Sequence, residues 1–286
     1  MNVMMLGASG FLGSRLYRSL KKDKKIITCG RSKKNDIILK KINKDNFSKI
    51  LLKDKPDIII NLIATTDVDF CEKKKIEANK INNLMVKDLI QGVEKAGLVD
   101  KIFFLHISTD QVYSGKGPHK ESKTNPKNIY AKTKLEGEKY VKRINGCVIR
   151  TNFLGKSLTK SKSLSDWIYL SLKKNKKINV FKNVKFSPLN IETLCKYIDL
   201  IIKRKITGIY NLGSKNGFSK AEFALRFARK LKLNSKLLKF VDYKKKMLIA
   251  KRPLDMRMNV KSFENKFNVV LKSFDYEINL ITKEYK

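Results

Sequence analysis

A chain of 286 residues can bury a substantial core and suits either one large domain or a nucleotide-binding domain with a smaller lobe. Its longest strongly apolar stretch, Ile58 to Ala64, is too short to cross a bilayer, and Met1 to Leu6 leads straight into a glycine turn, so neither a membrane helix nor a secretory leader is expected and the expected location is cytoplasmic. The formal charge of +38 comes from 54 Lys and only 10 Arg spread along the whole chain, which argues against dedicated nucleic-acid binding, where forked Arg side chains are favoured, and leaves attraction of a diphosphate substrate as the more natural use.

Along the chain, short apolar runs alternate with helical patterns. Strands are expected at Asn2 to Leu6, Ile26 to Gly30, Asp57 to Ile63, Lys101 to Ile107 and Gly146 to Arg150. Helices are expected between them at Gly10 to Lys21, Phe47 to Lys53, Glu72 to Ala96 and Tyr130 to Arg143. That alternation is the signature of a parallel sheet with crossover helices. Beyond residue 150 it becomes irregular, with one more strand at Gly208 to Leu212, a helix at Lys220 to Leu231 and an unassigned tail. The four cysteines, Cys29, Cys71, Cys147 and Cys195, are widely spaced and joined by only two histidines, so they read as reduced, buried thiols with no metal site.

Gly7-Ala8-Ser9-Gly10-Phe11-Leu12-Gly13 follows the first strand and opens the first helix. Gly7 permits the tight turn, Gly10 lets the backbone approach a pyrophosphate, Gly13 allows close helix packing, and the helix amino terminus attracts the anion. The second strand ends Cys29-Gly30-Arg31-Ser32, without the acid that would hold the ribose hydroxyls of NAD. Arg31 can pair with a 2′-phosphate and Ser32 can add a hydrogen bond, so NADPH is the expected cofactor and NADH the alternative. The fold class that follows is α/β: a Rossmann doubly wound parallel sheet over residues 1–152, with the strand near 207–213 added, and a smaller carboxy-terminal substrate-binding lobe over 153–286.

Tyr130 and Lys134 stand four apart in Tyr130-Ala131-Lys132-Thr133-Lys134, on one helical face. Ser108-Thr109-Asp110 lies immediately after the expected strand Lys101 to Ile107, at the carboxyl end where an open α/β sheet builds its site. A hydroxyl there can meet Tyr130 across a carbonyl oxygen. A Lys134 ammonium would make the phenol a usable proton donor near neutral pH and can hydrogen-bond the nicotinamide ribose.

These motifs, taken together, resemble the dTDP-4-dehydrorhamnose reductases and related sugar-nucleotide-binding extended short-chain dehydrogenases/reductases over most of the chain. The matching stretches are Gly7 to Gly13, Asn61 to Glu72, Ser108 to Tyr113, Pro126 to Glu138, Arg150 to Phe153, Gly208 to Leu212, and Arg252-Pro253. The resemblance implies a catalytic triad of Thr109, Tyr130 and Lys134, and a cofactor lined by Gly10, Phe11, Leu12, Ile63, Ala64 and Thr65. It also implies substrate contacts from Val68, Thr109, Asp110, Phe153 and Arg252. Two departures stand out. Lys41-Ile42 occupies the place where the family carries an acid before a hydrophobe near the adenine, and Phe153 stands where the rhamnose enzyme has a tryptophan.

The activity so implied is NADPH-dependent reduction of a nucleotide-linked 4-keto-deoxysugar, in nucleotide-sugar and surface polysaccharide biosynthesis. A 4,6-dehydratase would follow the Thr-Asp pair with a glutamate base, and here Gln111 cannot abstract a proton. An epimerase using the same Tyr and Lys, and a non-catalytic NADP-binding regulatory subunit, remain as alternatives. The expected partner is the nucleotide-sugar substrate, with a second copy of the chain in a homodimer as the one protein partner considered, and with no nucleic acid or membrane.

Overall fold

The computed structural model describes residues 1–39, 41–159, 162–244 and 248–286. The first half runs β1 (Asn2–Leu6), α1 (Phe11–Leu20), β2 (Lys25–Gly30), β3 (Ile37–Ile38), α2 (Lys44–Asp54), β4 (Ile58–Asn61), α3 (Val68–Lys73), α4 (Lys75–Asn79), α5 (Met85–Lys95), β5 (Phe103–Thr109), α6 (Ile129–Val141) and β6 (Gly146–Thr151). It continues through β7 (Phe153–Leu154), α7 (Leu164–Lys173), β8 (Ile178–Phe181), β9 (Lys185–Phe186), β10 (Leu189–Asn190), α8 (Ile191–Arg204), β11 (Gly208–Leu212), β12 (Phe218–Ser219), α9 (Lys220–Lys230), β13 (Leu238–Val241), α10 (Lys261–Phe267) and α11 (Phe274–Lys283).

By internal contacts the chain divides into two units: Met1–Thr109, Asn128–Arg150 and Cys195–Tyr210 form the first, and Asp110–Lys127, Thr151–Leu194 and Asn211–Lys286 the second. Seven strands make the large sheet in the order β11-β6-β5-β4-β1-β2-β3. The β1–β2, β1–β4, β2–β3 and β4–β5 pairs are all parallel, with Leu6 level with Cys29 and Asn61, and Asn61 level with His106. This is the doubly wound α/β sheet expected. Strands such as β4, Ile58 to Asn61, are buried at every residue because helices cover both faces of a parallel sheet. Helix α5 buries Val86, Leu89, Ile90 and Val93, the spacing of one helical face, against Phe47 and Leu51 of α2. Asn43 caps α2 through a reciprocal box with Asn46, a device contributing about 1 kcal/mol.

Three of the boundaries that differ from expectation lie close to the carboxyl ends of the strands or to the loops after them. β4 stops at Asn61, because the Asn61 side chain turns back to accept the Ile63 N–H at 3.1 Å. β5 runs on through Ser108 and Thr109, so both hydroxyls belong to the strand and do not follow it. The expected single helix Glu72 to Ala96 is α3, α4, a π-helical turn at Lys80–Leu84 and α5; it begins at Val68 behind the Asp67 cap and breaks at Lys74, whose ψ of 61° is not helical.

In the second unit the strands pair in twos, β7 with β10, β9 with β12 and β8 with β13. The core there is aromatic: Phe186, Phe223, Phe227 and Phe274 are buried, with Phe186 edge-on to Phe274 at 5.4 Å and Phe223 stacked on it at 5.7 Å. Capping boxes start two of its helices, Ser163 with Asp166 for α7 and Ser219 with Glu222 for α9. Among the described residues no helix is long and apolar enough to cross a membrane.

Candidate active site

Parallel pairing brings the carboxyl ends of β1, β2, β4 and β5 to one edge of the sheet. The strand order reverses between β1 and β4, and open α/β sheets bind ligands at such a point. The Gly7 turn and the Ile63 loop lie there, and a Cβ on Gly7 would sit 3.2 Å from the Ile63 nitrogen.

Gly7 has φ +89°, the left-handed region that favours glycine. A Cβ on Gly13 would collide with the Gly7 carbonyl oxygen and lie 2.8 Å from the Ala8 backbone, so α1 packs against the turn only because that Cβ is missing. Gly10 is different: its Cβ would meet nothing nearer than the Gly7 oxygen at 3.4 Å. Intramolecular packing therefore does not require glycine at position 10, whereas close approach of a pyrophosphate does. Gly10 also caps α1 without a side-chain hydrogen bond, and the first turn holds no acid, so the positive end of the helix dipole carries no side-chain anion. Phe11 and Leu12 begin the helix above the turn.

Arg31, just past β2, is exposed and forms no ion pair among the described residues. Ser32 Oγ accepts the Lys34 N–H at 3.2 Å. The nearest following acid, Asp36, accepts both the Thr28 N–H and the Thr28 hydroxyl at 2.8 Å, and these bonds hold its carboxyl below the usual range. It is thus committed to its own strand and not presented to a ribose. These features fit a dinucleotide with a 2′-phosphate.

Ile63, Ala64 and Thr65 form the loop after β4, fastened by a residue outside the matching stretches. Asn82, buried in the π-helical turn, accepts the Thr65 N–H at 2.9 Å, donates to the Thr65 carbonyl at 3.0 Å and reaches Thr133 Oγ1 on α6 at 3.3 Å. Gly137 of α6 abuts the same turn, where a Cβ would lie 2.5 Å from the Asn82 carbonyl oxygen. Val68 opens α3 and is buried.

Helix α6 begins at the Asn128 cap, which accepts the Ala131 N–H at 2.8 Å, while Glu72 accepts the Ile129 N–H at 3.1 Å. Tyr130 is its second residue, largely buried, and Lys134 follows one turn later. The Lys134 Nζ donates to the Ile107 carbonyl at 2.7 Å, two residues before Thr109 at the end of β5, and lies 3.2 Å from His106 Nε2. Burial pulls the Lys134 amine down to about 8, with Glu138 opposing. His106, fully buried, is held well below its ordinary value by burial and by Lys134. One turn beyond Lys134, Glu138 accepts from Ser108 Oγ at 2.5 Å and from Arg150 Nη2 at 2.6 Å, with both ionic side chains almost fully buried. The triad positions thus sit on two neighbouring elements of the first unit, tied by Lys134 to β5 and by Ser108–Glu138–Arg150 behind it.

The remaining substrate candidates fall in the second unit. Asp110 is buried and its Oδ2 accepts from Asn152 Nδ2 at 2.7 Å, with half-buried Phe153 next in the chain. Arg252 donates through Nη1 to the Ala250 carbonyl at 3.1 Å. Lys220, at the start of α9, was not foreseen; burial lowers its amine, Asp110 opposes and Arg252 adds to the lowering, which groups these three charges together. Tyr113, within the matching stretch after Thr109, donates to Asn211 Oδ1 at 2.6 Å and stacks on His119 at 5.1 Å, a structural role.

Residues 1–286 match the family described as RmlD substrate binding domain. The dTDP-4-dehydrorhamnose reductase of Salmonella typhimurium is 26% identical over 306 residues, spanning 99% of this chain and 98% of that protein. A solved structure described as a hypothetical dTDP-4-dehydrorhamnose reductase from Sulfolobus tokodaii is 30% identical with a TM-score of 0.83, covering 96% of this chain and 97% of its own. The Bacillus anthracis dTDP-4-dehydrorhamnose reductase, solved in complex with NADP, shares the fold at a TM-score of 0.87 and 22% identity, covering 99% of each chain.

Proposed function

From the premise that the chain belongs to the RmlD substrate binding domain family, we propose that it reduces a nucleotide-linked 4-keto-deoxysugar with NADPH, in nucleotide-sugar and surface polysaccharide biosynthesis. One observation carries the reading: a buried Lys134, held at the Ile107 carbonyl beside the end of β5 and one helical turn from Tyr130, at the sheet edge that also bears the glycine turn. The epimerase and regulatory-subunit alternatives are not favoured, since the Salmonella reductase is matched along 98% of its length.

The first unit takes the cofactor and the second supplies the substrate lobe. Gly7, Gly10, Phe11, Leu12 and Gly13 hold the pyrophosphate, Arg31 and Ser32 the 2′-phosphate, and Ile63, Ala64 and Thr65 the ring system beyond. When bound, NADPH supplies the hydride. Thr109 orients the keto oxygen, Tyr130 delivers the proton to it, and Lys134 holds the ribose and tunes the phenol. Asp110, Phe153, Arg252 and Val68 contact the sugar nucleotide. The working compartment is the cytoplasm, in keeping with four buried cysteine thiols, and the assembly to test is a homodimer. The experiment is to follow NADPH absorbance with keto-deoxysugar nucleotides; binding of NADPH without turnover of any of them would overturn the reading.

Cofactor choice gives a separate expectation. NADPH should bind more tightly than NADH, and Arg31→Ala should narrow the gap by roughly 1.5 to 3 kcal/mol as a charge-assisted contact is lost. Fluorescence titration with both cofactors measures it, and equal affinities in the unmutated protein would end the argument from Arg31. The charge of +38 gives another. Binding to random DNA should be weak and vanish steeply as salt rises, because only diffuse electrostatics act. Tight, sequence-selective binding at physiological salt would count against it.

A further inference from the structure

A backbone amide sets the direction of a buried hydrogen-bond chain that ends on Lys134. Ile63 donates its N–H to Asn61 Oδ1 at 3.1 Å. A backbone N–H can only donate, so the Asn61 carboxamide turns Oδ1 toward Ile63 and its Nδ2 toward His106 Nδ1, 3.1 Å away. Nδ2 is also a donor, which requires Nδ1 to accept through its lone pair. In a neutral imidazole the proton then sits on Nε2. That nitrogen lies 3.2 Å from Lys134 Nζ. An ammonium has three donors and no acceptor, so it would meet Nε2–H donor to donor, whereas an amine offers a lone pair. The other Lys134 bond, to the Ile107 carbonyl, is satisfied by either form. His106 is 0% and Lys134 2% exposed, so water is not at hand to relieve the conflict.

We propose that His106 is a positioning residue which holds Lys134 as an unprotonated amine in the cofactor-free protein, and that Lys134 takes up a proton from solvent when NADPH binds. The first half stands on the hydrogen-bond chain alone; the second rests on the function proposed above. The step balances as amine plus solvent proton giving ammonium, with no bond to carbon made or broken and no electrons moved.

Burial alone pulls the Lys134 amine down to about 8, which still leaves the ammonium in excess at neutral pH, and the Nε2–H donor, which only the amine can accept, lowers it further. Glu138, one turn along α6, favours the ammonium but is engaged by Arg150 of β6 and Ser108 of β5. From β5, His106 is neutral, its own value depressed by burial and by Lys134. From β4, Asn61 carries no charge, and Tyr130 is the remaining titratable side chain on the same face of α6. A bound dinucleotide changes that balance, because its phosphates are anionic and its ribose oxygens accept from an ammonium.

The chain has only two histidines, His106 and His119, which makes the tautomer directly readable. With ¹⁵N-labelled histidine and a His119→Gln variant for assignment, the cofactor-free protein at neutral pH should show a pyrrole-like Nε2 and a pyridine-like Nδ1 for His106. The opposite tautomer, or a doubly protonated ring, overturns the proposal. Asn61→Asp should reverse the tautomer, since a carboxylate can only accept and would draw the proton onto Nδ1; an unchanged tautomer in that folded variant also overturns it. Calorimetric titration with NADPH in buffers of different ionisation heat should show proton uptake, absent in Lys134→Met. Binding without uptake overturns the second half. The histidine spectrum is read without cofactor, so failure of NADPH to bind would count against the proposed function and not against the tautomer.

Discussion

Replacing Tyr130 by phenylalanine is expected to slow the chemical step by roughly 10² to 10⁴ fold while leaving NADPH affinity nearly unchanged. The substitution removes only the phenolic oxygen. The ring of Tyr130 is 8% exposed at the start of α6, so its packing is retained and the acid alone is lost. Lys134→Met should behave differently, because its Nζ is tied to the Ile107 carbonyl and is proposed to hold the ribose as well as tune the phenol. Both turnover and affinity should fall. Single-turnover oxidation of NADPH with a keto-deoxysugar nucleotide, alongside direct cofactor binding, separates the two variants. A Tyr130→Phe protein reducing substrate at the unmutated rate would remove Tyr130 from the mechanism. Absence of turnover in the unmutated protein, with NADPH still bound, would move the regulatory-subunit reading ahead.

The glycine turn was legible because its constraints are local. The Gly7-x-x-Gly10-x-x-Gly13 spacing encodes a turn, an approach and a helix contact within seven residues, and the structure gives Gly7 its positive φ and Gly13 its missing Cβ. Strand ends were less legible. β5 extends to Thr109, and Ser108 within it donates to Glu138, thirty residues away, a bond no local pattern announces. The π-helical turn at Lys80–Leu84 was hidden inside a long helical pattern, and with it Asn82, which fastens the Thr65 loop.

The second unit was read poorly for a different reason. Its strands β7, β9, β10 and β12 are two residues long, below the length at which alternation registers. Helix α7 did carry a start signal, Ser163 with Asp166 three residues on, whose side chain also receives the Tyr285 hydroxyl at 2.7 Å from the far end of the chain. Lys220 was lost among 54 lysines; only its lowered amine and the charges of Asp110 and Arg252 acting on it set it apart. His106 read as one more residue of a buried strand, and its meaning appears only when Asn61 of β4 and Lys134 of α6 are placed on either side of its ring.

Glu138→Leu is expected to destabilise the first unit by about 3 to 5 kcal/mol, the cost of leaving a buried guanidinium without its partner. Arg150 Nε lies 3.1 Å from both carboxylate oxygens and Nη2 2.6 Å from one, and Ser108 adds a third donor, so the carboxylate satisfies groups on β5 and β6 at once. Removing it takes the carboxylate from Arg150 and from Ser108 in a region where neither ionic side chain is more than 4% exposed. The pair itself adds little over an apolar one, because desolvating two charges offsets most of their attraction. Glu138→Leu combined with Arg150→Met should therefore recover most of the loss, a coupling that a double-mutant cycle reads directly. The single tryptophan, Trp167, lies on α7 in the second unit, so its fluorescence reports that unit while far-ultraviolet circular dichroism reports both. Urea unfolding of the four proteins by the two probes is the measurement. A double variant no more stable than Glu138→Leu alone would show that the loss comes from displaced packing along α6 and not from the stranded charge.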